Sequence, residues 1–253
     1  MRKILSQVAL AAAALAGAST SAHAYVVLTI AEIGFPLSTV TCNTNAALGV
    51  GPGANCSVAD GFTGYALNAN AIGFSGSVGG FSVQTTNGVG NIPGNANFAT
   101  LSATALDVTR TGAGIGSMYI DLTGFDYLNP LGAVKTFAGN ASQTSSLFSA
   151  GDTLRSDFYV DGANAGGLLN GLTCTIVVSG NDSCGTPQTV WNDGAPAQFS
   201  IRDIQTFKLS SGSSVQSTGT GIVRKIPEPA SLSLVGLALL GLGFATRRAT
   251  KSA

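Results

Sequence analysis

Leu101-Ser-Ala-Thr-Ala-Leu-Asp-Val-Thr109 and Ser117-Met-Tyr-Ile-Asp-Leu122, with the turn Thr111-Gly-Ala-Gly-Ile-Gly116 near their junction, decide the fold. In the second run Met118, Ile120 and Leu122 alternate with Ser117, Tyr119 and Asp121. A period of two puts one face of a strand on a core and the other in water. The intervening glycines predict a turn, and with it two neighbouring strands.

Outward from this pair, short β-rich runs alternate with turn signals. Candidate strands lie at 25–31, 81–86 (closed by the turn dipeptide Asn87-Gly88), 133–137, 145–149, 156–160, 172–178, 198–209 and 213–223. Residues 41–70, rich in Gly and Asn, read as loop-dominated. Within 198–209 the apolar parity shifts between Ile201 and Ile204, which predicts a β-bulge near Arg202-Asp203. The 34 glycines and scarce Lys and Glu lower helix propensity throughout. About ten strands without a sustained helical period predict an all-β fold: a single antiparallel β-sandwich or jelly-roll-like domain.

The two ends differ in kind from this body. Arg2 and Lys3, the apolar stretch 8–17 and Ala22-His23-Ala24 form a signal-peptide pattern, with cleavage expected between Ala24 and Tyr25. At the other end Pro227-Glu228-Pro229 precedes an apolar run at 230–245 and the basic residues Arg247, Arg248 and Lys251. Two prolines within three residues cannot lie inside a helix and mark a stiff, extended boundary. The run predicts a single transmembrane helix, short for a span, with Arg247 and Arg248 as stop-transfer residues held in the cytoplasm. This order and spacing resemble the PEP-CTERM sorting signal of Gram-negative bacteria. The resemblance implies processing by an exosortase near Pro227-Glu228-Pro229, transient residence in the inner membrane, and delivery to the outer surface or an extracellular matrix. Its family-level association is with exopolysaccharide and biofilm. The expected organisation is therefore a signal peptide at 1–24, an exported body at 25–225 and a sorting tail at 226–253.

Net charge sharpens the picture of the body. Arg2, Lys3, Arg247, Arg248 and Lys251 are five of the twelve basic residues, and Glu228 is one of twelve acidic ones. The body keeps seven Lys/Arg against eleven Asp/Glu, about −4. That balance excludes a nucleic-acid partner, which needs a basic patch to release counterions.

All four cysteines lie in the body, and export makes disulfides available to them. Spacing pairs Cys42 with Cys56 and Cys174 with Cys184 among three formal connectivities. A hairpin with loop Val178-Ser179-Gly180 would set Cys174 opposite Cys184. No C-x-x-C redox motif or zinc-ligand spacing occurs.

The single histidine, His23, falls in the signal peptide, so the body has none for nucleophilic catalysis or metal ligation. The glycine clusters match neither a Walker loop nor a complete dinucleotide fingerprint, and no cofactor or catalytic residue is expected. The carboxylate groupings Asp121/Asp126 and Asp157/Asp161 read first as turn residues. Asp157, Asp161 and Asn164 form the one calcium candidate, lacking the EF-hand order. Trp191, Tyr119, Tyr127 and Tyr159 would make a sugar platform only if several shared one face. Three functions remain open: a non-catalytic surface or matrix protein associated with exopolysaccharide, a carbohydrate-binding module recognising that polymer, and a histidine-free hydrolase using an acidic pair.

Overall fold

The computed structural model describes residues 25–226 apart from 36–38, 45–62, 69, 92–93, 96, 129–134, 169–170, 179 and 192–197. The expected signal peptide, Cys56, the expected turn at 192–194 and the tail from Pro227 onward, with its expected helix at 230–245, lie outside the described residues. Among the described residues no helix is long and apolar enough to cross a membrane.

Two antiparallel sheets pack face to face. One has six strands in the order β10 (Leu172–Val177), β9 (Thr153–Asp161), β13 (Gln198–Leu209), β7 (Gly116–Leu128), β1 (Tyr25–Glu32) and β2 (Thr39–Asn43). The other runs β11 (Asn181–Gly185), β8 (Lys135–Leu147), β14 (Ser214–Lys225), β6 (Phe98–Arg110), β5 (Phe81–Gly90), β4 (Ala71–Val78) and β3 (Thr63–Asn68), with β12 (Thr189–Trp191) also paired to β8. From β6 onward the chain changes sheet at every connection except β9 to β10 and β11 to β12, the jelly-roll-like alternation that lets both inner faces bury side chains. Val26, Leu28, Ile30, Met118, Ile120 and Leu122 of one sheet meet Leu101, Val108, Phe137, Val215 and Val223 of the other in one core.

Several sequence expectations need correction. The runs 101–109 and 117–122 are strands, but they lie in different sheets, and the glycine turn crosses between them. Arg110 occupies this crossing. It is buried, its guanidinium lies over the Phe81 ring at 4.6 Å, and a side chain on Gly80, Gly112 or Gly116 would strike it. The glycines make room for a cation. Arg110 Nη1 donates to Glu32 Oε1 at 2.7 Å across the two sheets, and Oε2 accepts the Gly80 N–H at 2.7 Å.

Asn87-Gly88 does not end a strand either: β5 runs through it, and Gly88 pairs with Ala103. The segments 133–137 and 145–149 belong largely to a single β8, whose middle lacks large apolar residues and so gave no signal. The register break in β13 falls between Phe199 and Ile201, upstream of Arg202-Asp203. Beyond it odd-numbered residues stay inward, so Asp203 and Gln205 are buried while Ile204 faces outward.

Cys174 and Cys184 form a disulfide with Cα atoms 6.0 Å apart, but β10 and β11 are not a hairpin. β10 pairs only with β9, at the edge of one sheet, and β11 only with β8, at the edge of the other. Gly180, at φ +110°, turns the chain from one sheet to the other, and its N–H donates to Ser145 Oγ at 3.2 Å. The bridge therefore closes the open side of the sandwich. Cys42 is buried and disulfide-bonded; its expected partner Cys56 lies outside the described residues. Replacing Cys174 and Cys184 together by Ala is expected to lower stability by about 2–4 kcal/mol, read as a lower urea midpoint under non-reducing conditions.

Both ends of the folded body emerge at one pole. Tyr25 pairs with Phe125 near the end of β7, and Tyr127 donates its hydroxyl to the Thr100 carbonyl at 2.8 Å. Thr100 pairs with Ile222, and the Lys225 N–H reaches the Asn97 carbonyl at 2.8 Å.

Candidate functional site

Register sets the outward side chains of the six-stranded sheet in rows. One row crosses the sheet from Thr173 through Asp157, Ile204, Asp121 and Thr29 to Thr41. The next brings Tyr159, Arg202, Thr123 and Val27 side by side. The alternation seen at 117–122 holds here: Tyr119 and Asp121 face out, Met118, Ile120 and Leu122 face in.

Arg202 is the centre of this face. Its Nε donates to Asp121 Oδ1 at 2.9 Å, its Nη2 to Asp121 Oδ2, and its Nη1 to the Gly166 carbonyl at 2.7 Å. The Thr123 hydroxyl adds a bond to Asp121 Oδ1 at 3.2 Å. A two-pronged guanidinium–carboxylate contact fixes both planes as well as their charge. Beside it lies a shallow pocket of about 220 Å³, lined by Val27, Thr29, Asp121, Thr123, Phe125, Ala165, Gly166 and Arg202. Tyr25 stacks on Phe125 at 4.7 Å and extends its apolar rim.

On the β10 side Asp157 Oδ1 accepts from Arg155 Nη2 at 2.9 Å and from the Thr173 hydroxyl at 2.6 Å. Tyr159 is half-buried against the bare backbone of Gly171, where any side chain would strike its ring. Burial, then the neighbouring Asp157 charge, pushes its phenol up from the ordinary value.

The calcium candidates are not brought together. Asp157 serves Arg155 and Thr173, whereas Asp161 accepts the N–H groups of Ala163 and Gly167, each at 2.8 Å, and of Ala165 at 3.2 Å. Asn164 exchanges hydrogen bonds of 2.9 and 2.6 Å with Asp126, both residues having positive φ. Among the described residues no group of three His, Cys, Asp or Glu could hold a metal ion. The pair Asp121/Asp126 is likewise split between Arg202 and Asn164.

Of the four aromatics, Tyr119 and Tyr159 share the outer face, but Trp191 and Tyr127 are core residues. Trp191 is 3% exposed and tilts against Phe199 at 5.0 Å, with Lys135 Nζ 5.6 Å from its ring. Burial pulls the Lys135 ammonium down from its usual value. Sequence reading missed Arg202 and Arg155. Their outward parity was visible, but the partner of Arg202 lies 81 residues away and needs the strand register to find.

Residues 225–248 match the PEP-CTERM protein-sorting motif, so the chain carries that signal, the match beginning on the last residue of β14. A search of curated proteins returns no match. Among solved structures, similarity extends to TmCBM61 in complex with beta-1,4-galactotriose, at 10% identity over 57% of this chain and 88% of that one, TM-score 0.31. A carbohydrate-binding module of the beta-sandwich superfamily matches at 13% identity over 76% and 82%, TM-score 0.28. A chain of infectious bursal disease virus Gx strain matches at 9% identity over 83% and 53%, TM-score 0.28. None reaches a similarity at which an activity carries over.

Proposed function

We propose that this is an exported, non-catalytic envelope protein, sorted by an exosortase, whose six-stranded face binds a hydroxyl-rich exopolysaccharide. The observation that carries the binding half is the Arg202–Asp121 pair set beside an open pocket with an apolar rim, with Tyr159 next to Arg202 in the same row. Fixed planar donors and acceptors meet sugar hydroxyls, and aromatic rings meet the apolar faces of sugar rings. Enclosed sites for small ligands run about 300–1,000 Å³. This smaller, open pocket suits one unit of a chain that continues across the face. Both carboxylates accept from guanidinium N–H groups, an arrangement for recognition and unlike the free acid–base couple of glycoside hydrolysis. The sorting half rests on the motif at 225–248.

Affinity electrophoresis of the full chain through gels containing the producing cell's own polysaccharide tests the binding half. Tyr159→Ala is expected to weaken retardation about tenfold while the melting temperature stays within a few degrees. Wild-type protein that migrates unretarded through every such polymer would overturn it. For the sorting half, replacing Pro227-Glu228-Pro229 by alanines should leave unprocessed protein in the inner membrane of an exosortase-bearing host. Processing like wild type would reduce the tail to a plain anchor.

A further inference from the structure

The middle of the sandwich is polar. Asp203, Gln205, Ser217 and Ser156 are each 1% exposed and Gln143 is 3% exposed. Register brings them together: Gln205 is the cross-strand partner of Ser156 in one sheet, and Ser217 that of Gln143 in the other. The two pairs are joined across the core, where the Ser217 hydroxyl donates to Gln205 Oε1 at 2.6 Å. Gln205 Nε2 in turn donates to Asp203 Oδ2 at 3.1 Å. Gly219 faces both, and a side chain there would collide with the Asp203 carboxylate and the Gln205 amide. The bulge between Ser217 and Gly219 and the missing Cβ thus make room for a carboxyl group inside an apolar sandwich.

Four atoms of this cluster have no hydrogen-bond partner among the described residues: Asp203 Oδ1, both amide atoms of Gln143, and Ser156 Oγ. Leaving them all unsatisfied would cost several kcal/mol, and an ionised carboxylate among them far more. Among the described residues no cation faces Asp203 from inside. On its own strand Arg202 points outward, as do Asp121 on β7 and Arg155 and Asp157 on β9. Arg110 of β6 is committed to Glu32, Asp107 bonds Ser214, Arg224 and Lys225 end β14, and Lys135 of β8 lies by Trp191.

We propose that this cluster is a proton-binding site built into the core, which locks the two sheets together while Asp203 is a neutral acid and loosens them when it ionises. Because Oδ2 accepts from Gln205, the proton belongs on the unpartnered Oδ1. Burial, with the charges of Asp121 and Asp157 adding and the Gln205 bond opposing, pushes the Asp203 carboxyl up to about 7. The sign follows. A raised folded-state value makes the folded chain hold a proton that the unfolded chain has released, so this stability is complete below the unfolded value of 3.8 and is lost as pH rises through about 7. Asp152 works the other way. Burial raises its carboxyl, but bonds from Ser213, Ser149 and Ser210 outweigh this and lower it, so its contribution is lost only in stronger acid. With His23 in the expected signal peptide, no histidine of the body blurs the window.

The test compares urea unfolding of the full exported chain, purified in detergent, with that of Asp203→Asn from about pH 5 to about pH 7. The wild-type folding constant should fall relative to the variant by up to about tenfold per pH unit. Parallel profiles would overturn the proposal. Should the variant not fold, infrared titration of the wild type decides alone. A protonated-carboxyl band that persists at about pH 5.5 and bleaches near neutrality supports the site, and its absence at that pH overturns it.

Discussion

Replacing Arg110 by Ala is expected to cost about 3–5 kcal/mol of folding stability, because Glu32 would be left as an uncompensated charge between the sheets. Equilibrium urea unfolding measures it, and a cost under about 1 kcal/mol, the usual worth of a surface pair, would show that the clasp is solvated. Glu32→Leu combined with Arg110→Met should recover most of the loss, since paired removal leaves no buried charge. It should not recover all of it: the Gly80 N–H loses its acceptor, Glu32 Oε2, a deficit of about 1–3 kcal/mol. The clasp thus ties the two sheets in a fixed relation without being the strongest way to fill that space.

Trp191→Ala should cost a similar amount, about 3–5 kcal/mol, through the cavity it leaves beside Phe199. Its indole N–H has no partner among the described residues, so Trp191→Phe should lose much less. Polysaccharide binding, if measured per folded molecule, should be the same in both variants as in wild type. Weakened binding at full folding would return Trp191 to the ligand face. The tryptophan is the residue that chemistry alone would nominate for sugar stacking, and its 3% exposure removes it from that role.

Strand positions were legible wherever one face carried large apolar residues, as at 117–122 and 172–178, because the period of two needs no partner to be read. Sheet membership was not. Adjacent strands in sequence look alike whether they form a hairpin or cross between layers, so β6 and β7 and again β10 and β11 were misjoined. In β13 the reading failed for a physical reason: it assumed that isoleucine is inside and aspartate outside. Ile204 is outward and Asp203 inward, which a local pattern cannot foresee, since the space for Asp203 is provided by Gly219 on the opposite sheet. The candidate face was half visible. The outward parity of Tyr119 and Asp121 came from sequence, but the bond between Asp121 and Arg202 is a product of register.

The placement of β14 has a mechanical consequence. A chain held by its C-terminal tail is pulled at Ile226, directly in line with a strand flanked by β6 and β8. Tension along that axis strains both ladders in shear, so many hydrogen bonds must yield at once, whereas an edge strand peels one bond at a time. Under the binding proposed at Arg202, drag on a polymer would enter on β13 and reach a C-terminal tether through the short turn into β14. That path would run along two consecutive strands, one in each sheet, with the other described strands beside them as a frame.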